Sequence, residues 1–129
     1  MSTQLVNNQP VSFAGRLGRD PKLDNKDGKP VANFSIAYTP RIKQGESWVD
    51  GDPVWYQVSV WGEQANHVAA TLSKGDEVII LGRQTDHEFD RRDGSKDVSH
   101  DVTADFVGAS LKWHTVEIQR AERSASISQ

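Results

Sequence analysis

The sequence of 129 residues contains no cysteine, a single methionine and no long apolar run. The absence of cysteine excludes a disulfide framework, a thiolate nucleophile and a zinc site with cysteine ligands. No segment approaches the roughly 20 consecutive apolar residues of a membrane-spanning helix. The N-terminal MSTQLVNNQP also lacks the basic and then apolar order of a signal peptide. We therefore expect a cytoplasmic, globular protein with no membrane segment.

Positive charge is also scarce, because the formal net charge is −3. Residues 1–60 contain 7 Lys/Arg and 6 Asp/Glu, whereas residues 61–129 contain 8 and 12. A nucleic-acid-binding domain usually carries a clear excess of basic residues, so the overall charge argues mildly against that function. An electropositive groove would have to form locally. The cations that could form it are Arg16, Arg19, Lys22, Lys29, Arg41, Lys43 and Arg83.

Alternation of apolar and polar residues predicts an all-β domain. Five runs alternate in this way: Val11–Leu17, Ala32–Tyr38, Val54–Trp61, Glu77–Phe89 and Asp97–Gly108. Between the third and fourth runs, Ala65, Val68 and Leu72 recur at the spacing of one face of a short helix, which Gly75 would end. Three strands, one helix and two strands are the order of a five-stranded OB-fold Greek-key barrel.

The segments between the runs predict a hairpin and one long loop. Asp27-Gly28, within the turn-rich connection Arg19–Pro30, is typical of a hairpin turn. We expect the polar, Gly/Pro-rich segment Thr39–Pro53 to form an extended loop, and loops of this length are usually functional. In the fifth run, strict alternation predicts that Phe106 points into the core.

The third run carries two tryptophans on its polar side. Its apolar face is already supplied by Val54, Tyr56, Val58 and Val60. Trp55 and Trp61 share the other face with Gln57, and exposed indole rings usually mark a contact surface. Stacking on an aromatic ring stabilises a bound base by roughly 1–3 kcal/mol whatever its sequence, so the pattern favours single-stranded nucleic acid. Packing under the helix or a loop, or in a subunit interface, is the alternative.

Two further aromatic side chains are candidates for stacking. Phe89 lies near the end of the fourth run, followed by Arg91 and Arg92, which are further candidates for phosphate contacts. Trp48 lies in the polar segment after the second run. It could fold over a bound strand or only anchor its own loop.

Four blocks of the sequence resemble the bacterial single-stranded DNA-binding protein family. They are GRLGRDPKL (15–23), VANFSIAYTPR (31–41), VWYQVSVWGEQANHVAATLSKGDEVIILGR (54–83) and VTADFVGASLKW (102–113). The resemblance covers about residues 11–114 and implies an OB-fold homotetramer that binds single-stranded DNA in replication, recombination or repair. The resemblance also implies that Trp55, Trp61 and Phe89 stack on bases and that binding requires no cofactor. It implies a location with the nucleoid in the cytoplasm.

The sequence departs from the family pattern at three places. Ile42 stands where the family often has a further aromatic residue, and Thr85–Glu88 occupies an arm that is commonly basic. We expect an OB-fold domain over residues 1–116 and a polar tail over 117–129. This tail lacks the acidic, hydrophobic tip that recruits replication and repair enzymes in the family, which favours an accessory or mobile-element version.

An enzyme and a protein-interaction module are the other classes of function. The histidines and carboxylates show neither metal-ligand spacing nor a nucleophile–base pair, so we expect no catalytic site and no metal. The acidic second half suits an OB-fold module in which Trp55 and Trp61 contact another protein or an oligomer partner. Salt separates the two binding hypotheses, because counterion release weakens DNA binding as salt rises.

Overall fold

The computed structural model describes residues 5–120, in which eight strands and one helix follow one another. Their bounds are β1 Gln9–Leu17, β2 Lys22–Lys26, β3 Lys29–Tyr38, β4 Arg41–Gln44, β5 Ser47–Asp50, β6 Val54–Trp61, α1 Glu63–Thr71, β7 Glu77–Asp90 and β8 Lys96–Ala109. The predicted all-β class is confirmed, and the helix lies at the predicted place. The strand count exceeds the predicted five because β2, β4 and β5 form within expected connections.

Six of the strands form one sheet that closes on itself. Their order is β1-β7-β8-β6-β3-β2, and β1 also pairs with β3 through Arg16–Ala37 and Leu17–Ile36. β6 and β8 run parallel, whereas the other pairs of this sheet are antiparallel. The closed, partly parallel sheet with a helix between β6 and β7 is the predicted OB-fold.

The core fills the barrel because alternate residues of each strand point inward. The largest fully buried side chains are Ile36, Ile80, Val31, Val58, Val60, Val78 and Val102. Helix α1 adds two buried residues, Ala65 and Val68, and Leu72, directly after the helix, is also buried. Gln64 ties the helix to β8, because its Nε2 donates to the Asp105 carbonyl (3.0 Å) and its Oε1 accepts from the Val107 N–H (2.8 Å).

A β-bulge between β7 and β8 reverses the alternation of β8. Leu81 pairs with Phe106 but Gly82 pairs with Ala104, so Asp105 is an extra residue. The prediction that Phe106 points inward is therefore wrong, and its side chain is 67% exposed. Gly82 permits the bulge, since a Cβ at this position would overlap the carbonyl oxygen of Thr103. β7 continues through the bulge as one strand.

Besides β7 with β8, two further pairs of consecutive strands form hairpins in the described residues, β2 with β3 and β4 with β5. Asp27 and Gly28 both have positive φ (52° and 82°) and join β2 to β3, which confirms the predicted turn. The prediction of an extended loop over Thr39–Pro53 is wrong, because β4 and β5 pair as a separate two-stranded sheet. Both faces of this hairpin are exposed, so its sequence lacks the alternation that marks a half-buried strand.

The predicted domain boundary stays a prediction. The last strand ends at Ala109, and most of the expected tail, residues 121–129, lies outside the described residues. In the part of the chain that the structure describes, no helix has the length and apolar character needed to cross a membrane.

Candidate nucleic-acid interface

The outer surface of β3, β6, β8 and the second half of β7 forms one continuous face, which we call the aromatic face. Cross-strand register aligns its residues in rows. One row, continued onto β2, contains Lys22, Asn33, Ser59, Thr103 and Arg83. The next contains Ser35, Gln57, Asp101 and Thr85. Because odd-numbered residues of β6 and β7 point outward here, Trp55, Trp61 and Phe89 belong to the same face.

The three aromatic side chains of this face are each about half exposed. The exposed fractions are 48% for Trp55, 44% for Trp61 and 46% for Phe89. Trp55 and Trp61 are six residues apart on one strand, which places them about 20 Å apart along it. Such spacing leaves room for several nucleotides between the two rings. Each of the two indole rings therefore keeps about half of its surface open to a ligand.

Trp55 is supported from below by the segment between β1 and β2. A Cβ built on Gly18 would lie 2.7 Å from Cζ3 and 3.0 Å from Cη2 of the Trp55 indole. The Gly18 N–H donates to the Ser35 carbonyl (3.0 Å), which holds this segment against β3. The ring therefore rests with one edge on backbone and keeps the rest of its surface for a ligand.

Phe89 lies on the arm that β7 and β8 extend beyond the barrel. It pairs with Asp97, whose carboxylate is bound by the Arg91 guanidinium. Lys96 Nζ binds Asp90 Oδ1 at 2.9 Å on the other face of the arm. Arg92 is exposed in the turn. The arm thus carries one stacking ring. Of its cations, Arg92 forms no ion pair with another residue in the range 5–120, whereas Arg91 and Lys96 are each paired.

The β4–β5 hairpin carries an aromatic and basic face of its own. Lys43 pairs with Trp48 and Arg41 with Asp50, so all four lie on one side, and Trp48 is largely exposed. Arg41 Nε binds Asp50 Oδ1 at 3.3 Å. Ile42 lies on the other side with Val49. Trp48 therefore does not take over the position that Ile42 occupies.

The remaining predicted cations surround the aromatic face. Arg16 Nη1 donates to the Gly75 carbonyl (2.9 Å), and Arg83 Nη1 donates to the Asn8 carbonyl (3.1 Å). Arg19, Lys22 and Lys29 are exposed, and none forms an ion pair with another described residue. The hydrogen bonds fix the positions of Arg16 and Arg83 while their positive charges remain.

Acidic residues occupy the outer face of β8, where a phosphate-binding surface would carry cations. Asp97, Asp101 and Asp105 point outward, and Asp101 Oδ2 lies 3.3 Å from His87 Nε2. Among residues 5–120, no group of His, Cys, Asp and Glu has the arrangement of a metal site.

A buried polar cluster lies on the opposite side of the same strands. Asp86 accepts hydrogen bonds from Gln84 Nε2 (2.8 Å), His100 Nδ1 (2.8 Å) and the Val6 N–H (3.3 Å). Burial raises the pKa of the Asp86 carboxyl, but the hydrogen bonds to its charged form together lower the pKa by more than burial raises it. The pKa of Asp86 therefore lies below its ordinary value. The cluster attaches the segment before β1 to the barrel.

Comparison with known proteins identifies the family. The model of the "Single-strand binding protein family" matches residues 8–121. The chain belongs to this family. Family proteins named "Single-stranded DNA-binding protein" are 37% identical in Mycobacterium tuberculosis, over 88% of this chain and 71% of that protein, and 38% identical in Corynebacterium glutamicum, over 90% of this chain and 53% of that protein.

A solved structure of the family has the same fold. The small single-stranded DNA-binding protein from Streptomyces coelicolor superimposes with a TM-score of 0.70 at 25% identity, over 81% of this chain and 96% of that chain. The resemblance derived from the four sequence blocks is therefore confirmed.

Sequence patterns missed two residues of this family member's aromatic face. Gly18 supports Trp55, but a glycine in a turn-rich segment gives no sign of which side chain will cover it. The sequence pattern of β8 gives no reason to single out Asp101 from the other acidic residues of its outer face. Its position beside Gln57 depends on the parallel register of β6 and β8, which no local pattern predicts.

Proposed function

We propose that the chain binds single-stranded DNA, largely independently of sequence, by stacking bases on Trp55, Trp61 and Phe89. The observation that carries the proposal is the grouping of these three half-exposed rings on one continuous outer face. Because every base has a π-face, such a surface binds unpaired strands and not duplexes, whose bases are already stacked. The role is binding and protection, without catalysis.

Phosphate contacts come from cations at the margins of the aromatic face. Arg16, Arg19, Lys22 and Lys29 lie on the β1–β2–β3 side. Arg83, Arg91 and Arg92 lie on the β7 side. Arg41, Lys43 and Trp48 close the surface from the β4–β5 hairpin, with Trp48 over the bound strand. The acidic outer face of β8 repels phosphates, so the bases of the bound strand contact the centre of the aromatic face.

The protein acts as a homotetramer, and two separate features of the barrel support this. From Gln9 to Gly15, β1 pairs with β7 on one side and with no described strand on the other, which leaves an open sheet edge. Ile79, Leu81 and Phe106 form an exposed apolar face on β7 and β8. Two different self-complementary contacts, one through an edge and one through a face, build a closed tetramer.

The cellular setting follows from the ligand. A protein that covers single strands serves DNA replication, recombination or repair, and works with the nucleoid in the cytoplasm. The names of the relatives support the ligand.

Titration with an oligo-dT strand tests the function through tryptophan fluorescence. We expect strong quenching, loss of affinity with rising salt, and little binding to duplex DNA. The Trp55→Ala/Trp61→Ala double variant should bind at least about tenfold more weakly while its circular dichroism and melting temperature stay unchanged.

Two results would reject the proposal. Unchanged fluorescence and mobility at low salt would show that single-stranded DNA is not the ligand. Unfolding of the double variant would assign Trp55 and Trp61 to the core. Tight but salt-independent binding to a protein partner would instead favour the interaction module.

A further inference from the structure

Asp101 lies at the centre of the aromatic face. Its neighbour on β6 is Gln57, and its neighbour on β7 is Thr85. The outward residue before Gln57 on β6 is Trp55, and the second outward residue after Thr85 on β7 is Phe89. Trp55 is therefore a diagonal neighbour of Asp101 across the β6–β8 pair, within reach of an aromatic side chain, whereas Phe89 lies two residues further along the arm, level with Asp97.

The outer face of β8 around Asp101 does not suit a phosphate group. The outward residues of β8 before the bulge are Asp97, Ser99, Asp101 and Thr103, with no cation among them. The one cation of β8, Lys96, is bound to Asp90 on the other face. The carboxylate itself repels an anionic phosphate, so a neutral base is the part of a strand that Asp101 can accept, while the backbone can contact Arg83 beside Thr103 on β7.

One oxygen of Asp101 is available to a ligand. Oδ2 lies 3.3 Å from His87 Nε2, while Oδ1 has no hydrogen-bond partner among residues 5–120. The side chain is 42% exposed. A carboxylate accepts hydrogen bonds and donates none, so its complement on a base is an N–H group.

We propose that Asp101 accepts a hydrogen bond from the exocyclic amino group of a base stacked on Trp55. This inference rests on the proposed binding of single-stranded DNA. Cytosine presents an N4 amino donor, to which Asp and Glu are complementary, whereas thymine presents the O4 acceptor in its place. The protein is proposed to bind single-stranded DNA largely independently of sequence. At this one position, Asp101 would make it prefer bases that carry an amino group.

Equilibrium titration with dC and dT oligonucleotides of equal length, at one salt concentration, tests this in the full chain. The quantity compared is the ratio of the dT to the dC dissociation constant, because removing a negative charge strengthens binding to both strands. We expect Asp101→Ala to lower this ratio about three- to tenfold, the range of a typical net hydrogen bond at a half-exposed site.

A matched control separates base recognition from general electrostatics. Glu88→Gln removes one negative charge from the same arm, but Glu88 lies on the face away from Phe89. It should leave the ratio within twofold of wild type. An equal change in both variants would overturn the proposal, as would an unchanged ratio in Asp101→Ala.

A modified ligand tests the same contact without altering the protein. An oligonucleotide of N4,N4-dimethyl-deoxycytidine lacks the amino donor. Wild-type protein should bind it about three- to tenfold more weakly than dC, and Asp101→Ala should bind the two alike. Equal loss in both proteins would overturn the proposal. Failure of wild-type protein to bind any of these strands would instead reject the proposed function.

Discussion

Gly18 and Trp55 are in direct contact, and the contact requires glycine. A Cβ at position 18 would lie 2.7 Å from the Trp55 indole and 3.1 Å from Ser35 Oγ. The first distance is too short for any real Cβ contact, so a larger residue would displace the ring. Because the ring is exposed, it can move without disturbing the core. Position 18 therefore controls the orientation of a stacking ring and contributes little to the stability of the barrel.

We predict that Gly18→Ala weakens oligo-dT binding about three- to tenfold, because the displaced ring loses part of a stacking contact worth roughly 1–3 kcal/mol. Its melting temperature should change little. Fluorescence titration measures the affinity. In a Trp55→Ala background the same substitution should have no further effect, and a full additional loss there would show that Gly18 acts independently of the ring.

The β4–β5 hairpin gives a second prediction, since its two faces carry different residues. Trp48→Ala should weaken oligo-dT binding about threefold or more, because Trp48 shares its face with Arg41 and Lys43. Val49→Ala, on the opposite face of the same strand, should leave affinity unchanged. Equal effects of the two substitutions would indicate that the hairpin contributes only through its stability.

The exposed apolar face of β7 and β8 predicts the oligomeric state. Light scattering should give four times the 14.3 kDa chain mass for the wild type. Phe106→Glu introduces an unpaired charge into that face, and it should reduce the particle to a dimer held by the β1 edge. Val49→Glu, a matched change on the hairpin, should remain tetrameric. A monomeric wild type would contradict the assignment of both contacts.

The Asp86 cluster predicts a dependence of stability on pH. The pKa of Asp86 is lower in the folded chain than in the unfolded one, since hydrogen bonds from Gln84, His100 and Val6 outweigh the effect of burial. Its contribution is therefore complete above the unfolded pKa of about 3.9 and is lost as the pH falls through the folded value. Urea denaturation at pH 7, 5, 4 and 3 measures this loss.

Asp86→Asn removes the titrating group and supplies the comparison. It should lower the free energy of unfolding at pH 7 by about 1.5–3 kcal/mol, the range for hydrogen bonds to a charged group. Its stability should fall less steeply than that of the wild type between pH 5 and pH 3. Parallel pH profiles for the two proteins would show that Asp86 does not contribute to acid destabilisation.

The sequence by itself determined the barrel, the place of the helix and the side of β6 on which Trp55 and Trp61 lie. These follow from the spacing of apolar residues, which repeats every 2.0 residues in a strand and every 3.6 in a helix. Such spacing depends only on neighbouring residues and can therefore be recognised in the sequence. The tertiary structure alone decided that Phe106 points outward, because one extra residue at Asp105 reverses the alternation. It also decided that Gly18 lies beneath Trp55 and that Asp101 stands beside Gln57. Both depend on how distant strands are brought into register when the sheet closes, and sheet closure is a property of the whole chain.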